Sequence, residues 1–256
     1  NDLCLRAGRV MNHGDGIYGG MFVSGMYAKA YFEDSPRIIV EAGLATLPPE
    51  SPYARLIQDV LDWSLEYPED WEKVWGLLEE KWNKREPCPA GALRPFNIDA
   101  KLNGAYIVLG LLYGQGDFSR TLRIATRAGQ DSDCNPSNAC GILGVAMGYS
   151  KIPDEWKGGL PDLADRKFSF TNFTFPGIVE STQRRAIALV ERSGGRVDGD
   201  RLIVKIQQPK PTVLEIWDDY GSPVERISVS DERWNWKGHW ENQIISDRRE
   251  NQWMRR

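Results

Sequence analysis

Along the first two-thirds of this chain, apolar residues recur at helical spacing. Tyr53, Leu56, Ile57, Val60, Leu61 and Ser64 follow an i, i+3, i+4, i+7 rhythm. Ser51 and Pro52 stand just before that run, in the order that favours a helix start. Ser35 and Pro36 open another helix, expected to run through Leu44. In residues 16–32, Ile17, Met21 and Phe22 alternate with Gly20, Ser24, Gly25 and Ala28, which predicts a buried helix lying close to its neighbours. Trp71, Val74, Trp75, Leu78 and Trp82 form a stripe on the next helix. Tryptophans so placed read as core rather than as a ligand platform. Residues 83–96, with three prolines and a cysteine, read as a loop. Residues 102–113, 118–128 and 136–148 are further helices.

The pattern changes near residue 160. Residues 161–178 read as a linker anchored by Phe168, Phe170, Phe173 and Phe175. Residues 181–193 read as one more helix, stopped by Gly194 and Gly195. Residues 196–206 read as a β-hairpin around Asp198-Gly199, with 212–217 and 224–229 as further strands. Trp234, Trp236, His239 and Trp240 cluster in the tail, as an aromatic mini-core or interface or as a carbohydrate-binding surface. The expected fold is mainly α: an all-helical bundle portion over residues 1–178, then a small β-rich C-terminal module over 179–256.

Composition narrows the partners. A formal net charge of −4 argues against a nucleic-acid backbone as partner. No apolar run approaches the roughly 20 residues of a membrane span. Four cysteines are too few to imply a disulfide scaffold at this length. Cys134 and Cys140 lie near one helix and are not expected to pair with each other, whereas a Cys4–Cys88 pair stays open. The compartment, cytoplasmic or exported, also stays open.

The stretch with most chemistry is Gly129-Gln130-Asp131-Ser132-Asp133-Cys134-Asn135-Pro136-Ser137-Asn138. Two carboxylates two residues apart precede a helix start, with Asn135 suited to cap it and Pro136 to its first position. Behind them Ala139, Gly141, Gly144, Ala146 and Gly148 give the helix a small-residue face. Hard oxygen ligands at a helix entrance suit Mg²⁺ or Mn²⁺. Alternatively, both aspartates only cap backbone N–H groups.

Gly129-Gln130-Asp131-Ser132-Asp133 followed by a small-residue helix resembles the Gly-x-Asp-Thr-Asp motif of the ADP-ribosylglycohydrolase family. Further blocks occur in that family's order. They are His13-Gly14-Asp15-Gly16-Ile17-Tyr18-Gly19-Gly20, residues 103–118 from Asn103-Gly104 to Gly116-Asp117-Phe118, and Ile152-Pro153-Asp154-Glu155-Trp156. The likeness spans roughly residues 8–160. No Thr-Asp-Asp, the family's other metal motif, occurs in these 256 residues, and the chain opens at Asn1-Asp2-Leu3-Cys4 without a Met or a signal peptide. The resemblance therefore implies a C-terminal portion of the family's domain. Its site would be completed by an N-terminal portion, in the same protein or as a second chain.

The resemblance further implies an all-helical fold and a metal-dependent glycosidase that cleaves the glycosidic bond of ADP-ribose or a related glycoside. It implies Mg²⁺ or Mn²⁺, two ions in the complete site, which polarise ribose hydroxyls and activate water. Asp131 and Asp133 match the family's carboxylate ligands and catalytic centre. Cys134 stands where the family has a Thr ligand, and Ser132 stands for the Thr between the aspartates. His13, Gly14, Asp15 and Gly16 match the substrate-side turn, with Gly129 and Ser132 beside the metal motif. His13 and Asp15 could equally be capping or core residues. Gly14, Gly16, Gly19 and Gly20 would let a phosphate or ribose approach the backbone. Asn103 and Asn138 are weaker polar candidates. The alternative to an enzyme is a non-catalytic sugar- or nucleotide-binding, or structural, member of the same fold.

Overall fold

A computed structural model describes residues 1–85 and 98–215. Its architecture is mainly α, with ten α-helices and one two-stranded sheet among the described residues. Helix α6 (Ala100–Gly114) lies at the centre, and nearly every one of its residues is buried. Its sequence explains that position: a helix apolar all round has no face to offer water. Around it pack α2 (Asp15–Ala30), α3 (Pro36–Leu44), α4 (Pro52–Glu66), α5 (Trp71–Leu78), α7 (Phe118–Arg127) and α8 (Cys134–Met147). Among the described residues no helix is long and apolar enough to cross a membrane.

The helix starts are set by side chains that satisfy otherwise unpaired amides. Ser51 accepts from the Ala54 amide at 3.1 Å, Asp70 from Lys73 at 2.9 Å and Asp117 from Arg120 at 2.6 Å. The tryptophan stripe is core only in part: Val74, Leu78 and Trp82 are buried and Trp71 packs half-buried on the core, whereas Trp75 is exposed, its indole N–H donating to the Ala128 carbonyl at 2.7 Å. Close approach of the central helices depends on missing side chains. A Cβ on Gly104 would collide with the hydroxyl of Tyr53, a fully buried ring wedged beside α6.

Several elements differ from the sequence expectation. Helix α1 (Asp2–Gly8) was not anticipated; it has no buried residue, so it carries no apolar rhythm to read. After α5 the chain continues as a π-helical turn, Glu79–Arg85, so the first three residues of the loop expected over 83–96 are helical; residues 86–97, which include the rest of that loop with Cys88, lie outside the described residues. The supposed linker contains a short helix α9 (Leu160–Leu163), and its phenylalanines do not anchor it, since Phe168, Phe170 and Phe173 are exposed. Helix α10 (Phe175–Arg192) starts six residues before the expected 181, because Thr174 caps it and Pro176 suits its first turn.

The hairpin forms at Asp198-Gly199 as expected but is shorter, β1 (Arg196–Asp198) pairing antiparallel with β2 (Arg201–Ile203). Residues 212–215 are not a strand. They run as an irregular segment back across α1 and α2, where Leu214 packs on the core. Residues 216–256, with the strand expected at 224–229 and the tail tryptophans, lie outside the described residues.

Candidate functional site

The aspartate motif is a turn held from behind by amide side chains. Gly129 and Gln130 both take positive φ, 101° and 49°. Glycine accepts that conformation freely, whereas Gln130 needs support. Its Oε1 accepts from the Asp99 amide at 3.1 Å and from Asn103 Nδ2 at 2.9 Å. Asn103, buried on α6, is the hub. Its Oδ1 accepts from the Asp131 amide at 3.1 Å and from Asn135 Nδ2 at 2.7 Å, and its Nδ2 donates to the Asp99 carbonyl at 2.8 Å. Asn135 is therefore not the helix cap. Its amide is spent sideways on Asn103 and the Gly129 carbonyl, and α8 begins two residues earlier with Asp133 as cap.

That scaffold gathers the front of the turn. Oδ1 of Asp131 and Oδ1 of Asp133 both accept from the Cys134 amide, at 3.2 and 2.8 Å. One ligand atom from each of Asp131, Asp133 and Cys134 lies within 4.8 Å of the others, with Asp131 half-buried and the other two exposed. Among the described residues this is the one such group of three. A hydrogen bond with Asp131, and then the Cys134 amide, hold the Asp133 carboxyl below its ordinary value. The same Asp131 carboxylate, by hydrogen bond and by charge, pushes the Cys134 thiol up. As a donor set, two hard oxygens and one softer sulfur fit a small divalent cation, Mn²⁺ better than Mg²⁺. Ser132 sits exposed between the aspartates, and Asn138 Nδ2 donates back to the Cys134 carbonyl at 3.0 Å.

A buried charge cluster lies behind the motif. Asp99 and Lys101 form an ion pair at the start of α6, and only 5% and 3% of their side chains are exposed. Asp15, at the start of α2, senses both of them. Burial pushes its carboxyl up to about 6; Lys101 opposes that shift, Asp99 adds to it, and a Tyr53 backbone hydrogen bond and the Arg55 charge lower it. The ion pair and hydrogen bonds thus join the starts of α6 and α8, from Lys101 through Asp99 and Asn103 to Asp131, and Asp15 at the start of α2 feels that cluster through its charges. Sequence reasoning missed Asp99, Lys101 and Gln130. The Asp-x-Lys spacing looks like surface polarity, and only the wholly apolar run after it hinted at burial.

The His13-Gly14-Asp15-Gly16 turn is held differently. Gly14 occupies the cap position of α2 at φ 53° and has no side chain to cap with. Its amide instead donates to Glu215 Oε2 at 2.9 Å, and His13 Nε2 lies 3.3 Å from the same oxygen. The remaining glycines of this block do not open towards a ligand. Gly16 faces Asn12, Gly19 the Tyr53 ring and Gly20 the Cys4 sulfur, whereas Gly129 has open space where a Cβ would project.

Comparison with known proteins agrees with this picture. A family model described as ADP-ribosylglycohydrolase matches residues 3–190, a longer stretch than the sequence blocks alone suggest. No curated protein and no solved structure matches the chain.

Proposed function

Since the chain belongs to the ADP-ribosylglycohydrolase family, we propose that it is a glycosidase acting on an ADP-ribosylated substrate, with Asp131 and Asp133 at the reacting centre. The observation that carries this reading is the convergence of Asp131, Asp133 and Cys134 on one point at the entrance of α8, in the family's own motif. These three residues would hold Mg²⁺ or Mn²⁺, and the ion would supply a Lewis acid for ribose hydroxyls and a source of activated water.

The chain's own contribution is electrostatic and positional. Cleavage at the anomeric carbon develops positive charge on the sugar, and a carboxylate cluster fixed by a buried scaffold stabilises that charge without reorganising. Asn103 supplies the fixing, because its Oδ1 accepts from the Asp131 amide, and Asn135 Nδ2 donates to the same oxygen. His13, Gly14 and Asp15 would face the substrate from the start of α2, while Gly129 leaves room for a ribose beside the motif. The described donors number three; besides water and substrate, an N-terminal portion carrying Thr-Asp-Asp, in the same protein or in a second chain, would supply further ligands.

The test is Mn²⁺- or Mg²⁺-dependent release of ADP-ribose from a modified peptide by the complete protein. Asp131→Ala is expected to abolish release. Undiminished turnover in that variant refutes the assignment.

A further inference from the structure

We propose that Glu215 is a positioning residue for the substrate-side turn: the segment 210–215 crosses back over α1 and α2, and its carboxylate fixes Arg9, His13 and Gly14. The proposal rests on the reading of that turn as substrate-facing. Glu215 lies beyond residue 190, where the family match ends.

The contacts converge from opposite ends of the chain. Glu215 Oε1 accepts from Arg9 at 2.6 Å, and Oε2 accepts from the Gly14 amide at 2.9 Å with His13 Nε2 at 3.3 Å. Its own amide donates to the Tyr18 hydroxyl at 2.6 Å. Upstream, Asn1 Nδ2 donates to the Lys210 carbonyl at 3.0 Å, and Leu214 packs on the core. The Glu215 side chain is only 12% exposed, while those of Arg9 and His13 are about half exposed at 54% and 52%. Glu215 is the least exposed of the three, and the Arg9 guanidinium and the His13 ring lie against it.

The local sequence explains the need. A helix whose cap residue is glycine leaves its first amides without a side-chain acceptor. Gly14 is such a residue, in a conformation that a larger side chain resists. A carboxylate brought in from residue 215 accepts from the Gly14 amide, and charge-assisted bonds of this kind are stronger than neutral ones. The Gly16 and Ile17 amides bond to the His13 and Gly14 carbonyls. The same carboxylate oxygen lies 3.3 Å from His13 Nε2. Loss of Glu215 therefore loosens the turn that carries His13 and Gly14. The aspartate motif is held by Asn103 and Gln130 and would not move.

The experiment compares the full chain with its Glu215→Gln and Glu215→Ala variants by three readouts. These are hydrogen exchange of the peptide spanning residues 9–18, ADP-ribose affinity by calorimetry, and Mn²⁺ affinity. Exchange over 9–18 is expected to speed up in both variants. ADP-ribose affinity should fall about tenfold, the scale of one lost charged hydrogen bond, with Mn²⁺ affinity unchanged. Unchanged exchange overturns the proposal, because the turn would then stand without Glu215. Faster exchange with unchanged ADP-ribose affinity also overturns it, leaving the strap a purely structural staple. If the unaltered chain shows no ADP-ribose affinity while exchange still responds, the hold of Glu215 on the turn is upheld and the substrate reading of the turn is what fails.

Discussion

Asp15 offers a test in which stability and function should move in opposite directions. Its carboxyl is raised from 3.8 to about 6, chiefly by burial, with Lys101, Tyr53 and Arg55 compensating only in part. Between those pH values the folded protein holds a proton that the unfolded chain has released. Stability is therefore greatest below about pH 4 as far as this group is concerned, falls as pH rises through 6, and carries the full penalty above it. Two pH units at about 1.36 kcal/mol each set an upper limit of about 3 kcal/mol for that penalty. Asp15→Asn removes the charge and keeps the shape, and so should stabilise the protein by about 1–3 kcal/mol at pH 7.5. For a chain of this size that is a rise in Tm of roughly 2–10 °C. Thermal unfolding of both proteins at pH 7.5 and pH 4 checks it, since the gap should close at the lower pH. A variant no more stable than the parent at pH 7.5, or a gap equal at both pH values, refutes the reasoning. The same substitution should weaken ADP-ribose binding. A buried carboxylate kept ionised at a cost in stability is then explained by what it does for the ligand.

Asn103→Ala should destabilise the fold by about 2–4 kcal/mol in urea unfolding, because it strands the buried Asn135 amide and unties the Asp131 N–H; a loss below 1 kcal/mol would mean that water replaces the asparagine. Its Mn²⁺ affinity should fall as well, since the turn that carries both aspartates loses its support. With Co²⁺ as probe, a thiolate charge-transfer band in the near ultraviolet is expected from the complete protein and should vanish in Cys134→Ser. A band that survives that substitution removes Cys134 from the ligand set.

The helical body of the protein is legible in its sequence because burial there follows the helix period. Ser35-Pro36 and Ser51-Pro52 mark starts that the structure places at those residues. The aspartate motif was legible too, since its residue types are contiguous. What stayed hidden was what holds the motif. Asn103 and Gln130 act through amide groups whose partners lie 27 and 28 residues away, and nothing in an asparagine's neighbours announces that role. Asp99 and Lys101 mislead more strongly, because adjacent opposite charges normally signal a solvated surface. Residues 212–217 misled in the other direction. The apolar alternation there is real, but Leu214 uses it to dock on the helical core while the neighbouring main chain bonds to Tyr18 and not to a strand.

The placement of charge bears on how complete the site is. The starts of α2, α6 and α8 each carry a carboxylate, where the helix dipole favours one. Asp99 is paired with Lys101, which is buried with it, and Asp15 feels the same cation. Asp131 is half-buried and Asp133 exposed, and among the described residues these two with Cys134, on one small turn, form the one group of three whose ligand atoms lie close enough to hold a metal ion. Mg²⁺ and Mn²⁺ prefer about six ligands in octahedral array, and this turn supplies three donors, one of them a sulfur. Half of such a coordination sphere must come from water, substrate or another segment. On the proposed metal reading, such a site would bind its ion weakly until the remaining ligands arrive, which would tie metal loading to the arrival of substrate or of another segment.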